Sequence, residues 1–170
     1  ASQDEFPRVL LTPTDPEECL TLAFKAFDIA DKFQLPVIIL TDKFMAESFY
    51  KFSPKLNFKK IERGLMLSDR ALTRLDNFNR YEFTNTGVSP RSIPGQEGGI
   101  FIANSDESNE KGFSEESSTN RKKKVEKRFK KLSLIKKDLP ELNVYGDIKS
   151  KTCIITWGST KGAALEATRS

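Results

Sequence analysis

Apolar and polar positions in the first fifty residues change period twice, which predicts a strand, a helix and a second strand. An apolar run at 6–12 predicts the first strand. Apolar residues then recur every three or four positions, at Leu20, Ala23, Phe24, Phe27, Ala30 and Phe33. This spacing predicts an amphipathic helix ending near Gln34. The unbroken apolar run within 37–42 predicts a strand buried on both faces, as in a parallel sheet. A right-handed strand–helix–strand unit is expected, followed by one or two helical turns at 43–50.

Two polar residues mark boundaries of these elements. Thr14 is predicted to cap the helix, with a proline in its first turn and Glu17 completing a capping box. Asp42 ends the second strand, at the edge where open α/β sheets tend to bind ligands. An aspartate here can instead be the N-cap of the following helix, and this interpretation of Asp42 is favoured over a ligand-binding role.

The region 51–112 follows no single apolar period, and short strands joined by turns are predicted for 51–80, 81–84 and 98–104. Its centre, Thr86–Gly95, is rich in glycine and proline, which fix corners without secondary structure. Arg91 is the one cation between the two prolines. We call residues 81–112 the arm. Two interpretations remain open: a loop that forms part of a site, or a rigid crossing between domains.

A long polar helix is predicted after the arm, capped by Ser114 or Ser118 and ended by Pro140. Its apolar stripe is expected to lie across a surface and comprises Val125, Phe129, Leu132, Ile135 and Leu139. Between Arg121 and Lys137 lysine and arginine abound, which is compatible with a nucleic-acid face. A solvated face, or one that meets an acidic neighbouring subunit, is favoured because the charges surround the helix.

Residues 152–162 predict a strand, a glycine turn and a helix start, as at the opening of a second α/β unit. Such a turn can hold a phosphate on backbone N–H groups, although neither GxGxxG nor GxxxxGKS is present.

Composition removes most kinds of catalytic site. The 170 residues include no histidine, which excludes a Ser-His-Asp triad and every histidine-containing metal site. The two cysteines, Cys19 and Cys153, cannot supply the four thiolates of an iron–sulfur cluster, and both are expected to be buried apolar residues. No apolar run has membrane-spanning length and no secretory signal is evident, so a cytoplasmic location is expected.

Taken together, separated motifs resemble one family over nearly the whole chain. They are Phe6–Arg8, Pro13 with Glu17 and Glu18, Ala23-Phe24 or Ala26-Phe27 followed by Ala30, Leu35–Asp42, Tyr81, Thr86–Arg91, Pro94-Gly95, Glu110–Gly112, Lys127-Arg128, Lys131-Leu132 and Ile155–Ser159. This order resembles the α subunit of 2-oxoacid:ferredoxin oxidoreductases, both the 2-oxoglutarate-type and the archaeal broad-specificity enzymes.

The resemblance implies an α/β fold in three parts. Residues 1–50 would end a parallel-sheet domain of the type that binds the thiamine pyrimidine ring. Residues 51–147 would form its β-rich extension with the arm and the basic helix, and 148–170 would begin a domain like the C-terminal domain of transketolases. The family converts a 2-oxoacid and coenzyme A to acyl-CoA and carbon dioxide, and reduces ferredoxin. It uses thiamine diphosphate, magnesium and iron–sulfur clusters, and the α subunit works with a β subunit.

The resemblance brings no catalytic residue to this chain. The family's Tyr-Pro-Ile-Thr-Pro-type substrate motif and its thiamine-activating glutamate have no counterpart here, and an acidic-histidine pair is replaced by Glu107-Ser108. The expected role is scaffold and subunit contact, with no cofactor or metal bound by this chain alone and no activity in isolation. Candidates for substrate or subunit contact are Asp42, Ser89, Arg91 and Gly95. The alternative is a stand-alone basic module that binds nucleic acid or protein, although nucleic acid and membrane are not expected partners.

Overall fold

The first fifty residues form the expected strand–helix–strand unit. The computed structural model describes residues 5–51, 53 and 61–169. Its elements are β1 (Val9–Leu11), α1 (Pro16–Phe33), β2 (Val37–Ile39), α2 (Lys43–Glu47), α3 (Asp69–Leu72), α4 (Ser118–Ile135) and α5 (Thr160–Ala167). The two strands pair in parallel, with Val9 opposite Val37 and Leu11 opposite Ile39. The chain is therefore α/β with a small parallel sheet, and α1 crosses from one strand to the other.

The capping box of α1 lies one residue later than predicted. Asp15, not Thr14, is the cap, and its Oδ1 accepts a hydrogen bond of 2.8 Å from the backbone N–H of Glu18. The Glu18 carboxylate reaches back and accepts from both the N–H and the hydroxyl of Thr14, at 2.9 and 2.7 Å. This register places Pro16 in the first turn, where its missing N–H costs no helical hydrogen bond.

The second strand is not buried on both faces, as its unbroken apolar pattern predicted. Val37 is partly buried, but Ile38, Ile39 and Leu40 are exposed. The physical reason is that α1 covers one face of the sheet, while no third strand or second covering helix packs on it among the described residues. An apolar surface of this kind is typical of a contact with further protein.

The core joins elements that are far apart in sequence. Its buried residues are Val9, Leu11, Ala26, Ile29, Phe33, Leu35, Val88 and Ile135. Val88 belongs to the arm and Ile135 to α4. Both therefore anchor their segments on the strand–helix–strand unit.

The β-rich extension predicted for 51–147 is wrong for the residues described there. Outside the strands β1 and β2, the described part of the chain has only two isolated bridges, between Met66 and Arg91 and between Ser108 and Ser114. The stretches 81–84 and 98–104 form no strand. Turns and side-chain contacts take their place: Gln96, for example, donates to the Leu67 carbonyl at 3.0 Å. Residues 52 and 54–60, which include part of the predicted strand region, lie outside the described residues.

The last third of the chain has the two predicted helices but not the predicted strand. Ser117, rather than Ser114 or Ser118, caps α4 by accepting from the Asn120 N–H at 3.2 Å. The segment 152–156 forms no strand, and Cys153 is exposed, contrary to prediction. Cys19 is partly buried in α1, where its thiol donates to the Met45 sulfur at 3.2 Å.

Much apolar surface remains uncovered in this structure. The chain exposes 13112 Å², whereas a compact protein of this mass exposes about 8,400 Å². Exposed apolar residues cluster after α4 and include Leu142, Val144, Ile148, Ile154, Ile155 and Trp157. Within the described residues, no helix is both long and apolar enough to cross a membrane.

Candidate functional site at the arm and the basic helix

Helix α4 packs on the rest of the chain through its lysines. Lys124, Lys127 and Lys131 are only 5%, 9% and 8% exposed. Their spacing of three and four residues places all three on one face of the helix, together with the buried Asn120 and Ile135. Fully buried lysines are rare unless their ammonium groups find partners. The partners in this structure are backbone carbonyls of the arm and of the end of α1.

Lys127 lies at the centre of this face. Its ammonium group donates to the Tyr81 carbonyl at 2.8 Å and to the Ser89 hydroxyl at 2.5 Å. It also lies 5.7 Å from the centre of the Phe83 ring. The Ser89 hydroxyl in turn donates to the Glu82 carbonyl at 2.9 Å. The lysine thus joins the two ends of the 81–89 loop to one another and to α4.

Gln34 ties the end of α1 to the same cluster. Its carbonyl accepts from the Lys131 ammonium at 2.8 Å, and its side-chain oxygen accepts from Arg80 at 3.0 Å. Its side-chain nitrogen donates to the Ser89 carbonyl at 2.5 Å. Gln34 is also the C-cap of α1, in the left-handed conformation with φ 52°. Its carbonyl therefore faces α4, and its side chain faces Arg80 and the arm.

Burial shifts the titration of these lysines strongly. Loss of water, followed by the nearby cations Lys124, Lys131 and Arg80, lowers the pKa of Lys127 to about 7. Loss of water and the cations Arg80 and Arg128 lower the pKa of Lys131 to about 8. Burial is likewise the main cause that lowers the pKa of Lys124. The cluster therefore holds positive charge at a cost in solvation.

The apolar stripe of α4 points outwards, which corrects the sequence-based expectation. Phe129 and Leu132 are 37% and 44% exposed, and Ile135 is the member that is fully buried. The helix is rotated by roughly 100°, less than a third of a turn, because the carbonyls of the arm and of Gln34 accept hydrogen bonds from lysines but not from apolar side chains. The burial of Lys124, Lys127 and Lys131 removes three cations from any nucleic-acid face, so the alternative of a nucleic-acid-binding module is not supported.

The start of α4 is held by a carboxylate from the arm. Glu107 accepts from Arg121 at 3.1 Å and from two nitrogens of Arg128 at 3.2 and 2.9 Å. These hydrogen bonds and charges outweigh burial and keep the pKa of Glu107 below its usual range. The ion pair between Glu107 and Arg128 is bidentate, a geometry that gives strong directional contacts.

Arg91 lies at the junction of the arm with α1. Its guanidinium donates to the Arg63 carbonyl at 2.8 Å and pairs with Asp31 at 3.1 Å. Its backbone N–H donates to the Leu65 carbonyl, and its own carbonyl accepts from Leu67, both at 2.9 Å. The side chain is 19% exposed. Arg91 thus holds the arm against the 63–67 segment and the C-terminal half of α1.

Two glycines in the arm differ in their surroundings. Gly87 has φ 77°, and a Cβ built there would lie 2.2 Å from the Lys127 carbonyl. Gly95 has φ 93°, with nothing within 4 Å of the corresponding position. Gly87 therefore permits close backbone contact between the arm and α4. Gly95 only permits a turn that faces open space.

Asp42 caps α2, as the favoured interpretation had it. Its Oδ1 accepts from the Met45 N–H at 2.9 Å. Its Oδ2 accepts from the Ser159 N–H at 2.7 Å, so the glycine turn that resembled a phosphate cradle already faces a carboxylate of this chain. Asp42 is remote from the cluster around Ser89 and Arg91 in its contacts. The four sequence-predicted candidates thus fall into two places, with Ser89, Arg91 and Gly95 in the arm.

The arm and the lysine face form a joint in which side chains donate hydrogen bonds to backbone carbonyls. Among the described residues, no group of three or more His, Cys, Asp or Glu side chains is placed to hold a metal ion. The residues of this joint do not fit a diphosphate–magnesium site, and no chemical step is assigned to them. Sequence reasoning missed Gln34 and the lysine face. The available signal was the 124, 127, 131 spacing, which matches a helical face as well as the apolar stripe does.

Comparison with known proteins gives consistent matches. Residues 1–127 match the family model described as pyruvate flavodoxin/ferredoxin oxidoreductase, thiamine diphosphate-binding. The chain is 40% identical to the 2-oxoacid:ferredoxin oxidoreductase subunit alpha of Saccharolobus solfataricus, over 98% of this chain and 27% of the relative. It is 34% identical to the 2-oxoacid:ferredoxin oxidoreductase 1 subunit alpha of Aeropyrum pernix, over 98% of this chain and 26% of the relative.

A solved structure matches as well. It is the 2-oxoglutarate:ferredoxin oxidoreductase from Magnetococcus marinus with 2-oxoglutarate, coenzyme A and succinyl-CoA bound. The TM-score is 0.80 at 28% identity, and the match covers 96% of this chain and 28% of that one. The chain thus spans about a quarter of the length of the relatives it matches.

Proposed function

Since the chain belongs to the pyruvate flavodoxin/ferredoxin oxidoreductase family, we propose that it is a portion of the α subunit of a thiamine-diphosphate-dependent 2-oxoacid:ferredoxin oxidoreductase. The complete enzyme would convert a 2-oxoacid and coenzyme A to acyl-CoA and carbon dioxide and reduce ferredoxin. The observation that carries this proposal is 40% identity across 98% of the chain to an α subunit of that activity. Within the enzyme, this portion would supply scaffold and subunit contacts.

We further propose how the parts divide. Residues 1–50 would end the pyrimidine-binding-type domain, 51–147 would carry the arm and the basic helix, and 148–170 would begin a transketolase-C-terminal-like domain. Thiamine diphosphate, magnesium and iron–sulfur clusters would be held by other parts of the complete enzyme, which would work in the cytoplasm. The exposed apolar surface after α4 and on β2 supports contacts with the rest of the α subunit and with a β subunit.

A chimera tests the proposal directly. The matching segment of the Saccharolobus α subunit is replaced by this chain, and the product is expressed with its β subunit. Assembly is measured by size-exclusion chromatography, and turnover by 2-oxoacid- and coenzyme A-dependent reduction of a viologen dye. We expect an assembled, active enzyme. A chimera that folds but neither assembles nor turns over would contradict the proposal.

Arg91 is the first residue to change in that chimera. Because its guanidinium joins the arm to Asp31 and to the Arg63 carbonyl, Arg91→Ala is expected to weaken assembly or raise the KM for the 2-oxoacid, with kcat for assembled enzyme retained. Arg63→Ala is the matched control, since Arg63 also pairs with Asp31 at 3.0 Å but is largely exposed. If Arg91→Ala leaves assembly and KM unchanged, the arm is only a spacer.

A further inference from the structure

We propose that Asp42 and Lys161 form a two-point latch that fixes helix α5 onto the N-terminal ends of α1 and α2. The proposal concerns the relative placement of the first and last parts of this chain and goes beyond the function proposed above. The proposal rests on two observations. The Asp42 carboxylate accepts hydrogen bonds at the N-termini of both α2 and α5. Lys161 of α5 separately contacts the N-terminal end of α1.

The Asp42 carboxylate is shared between two helix N-termini. One oxygen accepts from the Met45 N–H in α2 at 2.9 Å, and the other accepts from the Ser159 N–H before α5 at 2.7 Å. The Ser159 side chain makes no capping hydrogen bond of its own. A negative charge in this position favours both helix dipoles. The cap of α5 is thus supplied by a residue 117 positions earlier in the chain.

Gly158 allows this approach. Its φ of 63° lies in the left-handed region, and a Cβ built there would be 2.6 Å from the Asp42 Oδ2 atom. Any larger residue would therefore meet the carboxylate as well as a strained backbone. The glycine fits a site at which a carboxylate from elsewhere in the fold comes close to the turn.

Lys161 supplies the second point, on the first turn of α5. Its ammonium group donates to the Thr14 hydroxyl at 2.9 Å and to the Glu18 carboxylate at 3.2 Å, and it lies 3.6 Å from Asp15. These three residues form the N-terminal end of α1. Tyr145 also faces the ammonium, with its ring centre 5.9 Å away.

Apolar packing does little to set the position of α5. None of its described residues is buried, and the stretch 140–157 that leads to it has neither helix nor strand. Packing therefore contributes little to the orientation of α5. Two polar contacts on different elements fix a direction that one contact would leave free to rotate.

Amide NMR of the chain tests the shared carboxylate. Hydrogen bonds from the Ser159 and Met45 amides lower the pKa of Asp42, so both amide resonances are expected to titrate with one common midpoint below the ordinary aspartate pKa. The other charged groups at the junction, Asp15, Glu18 and Lys161, are followed through the Thr14 amide. If the Met45 amide follows Asp42 while the Ser159 amide does not, the carboxylate is not shared.

Substitutions at neutral pH give an independent test of whether the Asp42 carboxylate is shared. Asp42→Ala removes both accepting oxygens. We expect several-fold faster hydrogen exchange at both the Ser159 and the Met45 amides. Glu47→Ala, which removes a carboxylate on the exposed end of α2, is the control. Unchanged exchange at Ser159 in Asp42→Ala would overturn the first point of the latch.

The glycine and the lysine are tested separately. Gly158→Ala is expected to displace the carboxylate and increase protease cleavage within 140–157. The control is Gly146→Ala, which has a similar φ of 86° and no atom within 4 Å of the new methyl group. Lys161→Met is expected to increase the same cleavage, and Lys161→Arg to restore part of the protection. Equal cleavage in Gly158→Ala and Gly146→Ala, or wild-type cleavage in Lys161→Met, would contradict the latch.

Discussion

Helices α1 and α4 have the same length of 18 residues but pack in opposite ways. Helix α1 buries Ala26, Ile29 and Phe33 against the sheet. Helix α4 buries three lysines and leaves Phe129 and Leu132 exposed. The first contact is a hydrophobic one, whose strength grows with apolar area and which tolerates many partners. The second needs particular acceptors at particular places.

The two helices therefore make different contributions: α1 stabilises the fold, and α4 sets the position of the arm. Burying apolar side chains of α1 stabilises the strand–helix–strand unit. Burying lysines has a desolvation cost that hydrogen bonds to carbonyls only offset. We infer that α4 contributes mainly a defined position of the arm, because the acceptors of Lys127 and Lys131 are the arm and the end of α1.

The largest effect is expected from the apolar helix. Ile29 is 1% exposed, so Ile29→Ala is expected to lower the free energy of unfolding by about 2–5 kcal/mol. Phe27→Ala on the exposed side of α1 is the control and should change it by less than about 0.5 kcal/mol. Urea denaturation of the chain measures both. Similar effects for the two variants would show that α1 does not pack as described.

The next effect concerns the contact between the arm and α4. Gly87→Ala adds backbone strain and a methyl group 2.2 Å from the Lys127 carbonyl, and should destabilise the chain by well over about 1 kcal/mol. Gly95→Ala carries the strain without the contact and should cost about 1 kcal/mol. The difference between their urea midpoints measures the close approach alone. Equal losses would mean that the arm and α4 are not in contact at Gly87.

The third effect is a dependence of the unfolding free energy on pH. Because burial lowers the folded-state pKa of Lys127 to about 7, the unfolded chain binds the proton more readily between about pH 7 and the ordinary lysine pKa of about 10.4. Stability should therefore rise with pH in this window, by up to about 1.4 kcal/mol per pH unit for this group. Lys127→Met should lack that part of the rise, whereas the exposed Lys122→Met should keep it. Identical pH profiles for wild type and Lys127→Met would contradict the burial of Lys127.

The sequence predicted the elements set by local signals and missed those set by distant partners. The strand–helix–strand unit and α2 followed from apolar period and caps, because these depend on neighbouring residues. The direction in which α4 faces depends on the carbonyls of Tyr81 and Gln34, which are distant in sequence, and the apolar stripe therefore misled. The strands expected at 81–84 and 98–104 did not form, since alternation shows only that a segment can pair, not that a partner strand is present.

The titration of the Lys127 side chain, followed by NMR at its Cε–Hε resonances, tests the lysine-packed joint most directly. The structure predicts a midpoint of about 7 for this ammonium group. A midpoint near the ordinary lysine value of about 10.4 would show that Lys127 is solvated, and that α4 does not hold the arm through its lysine face.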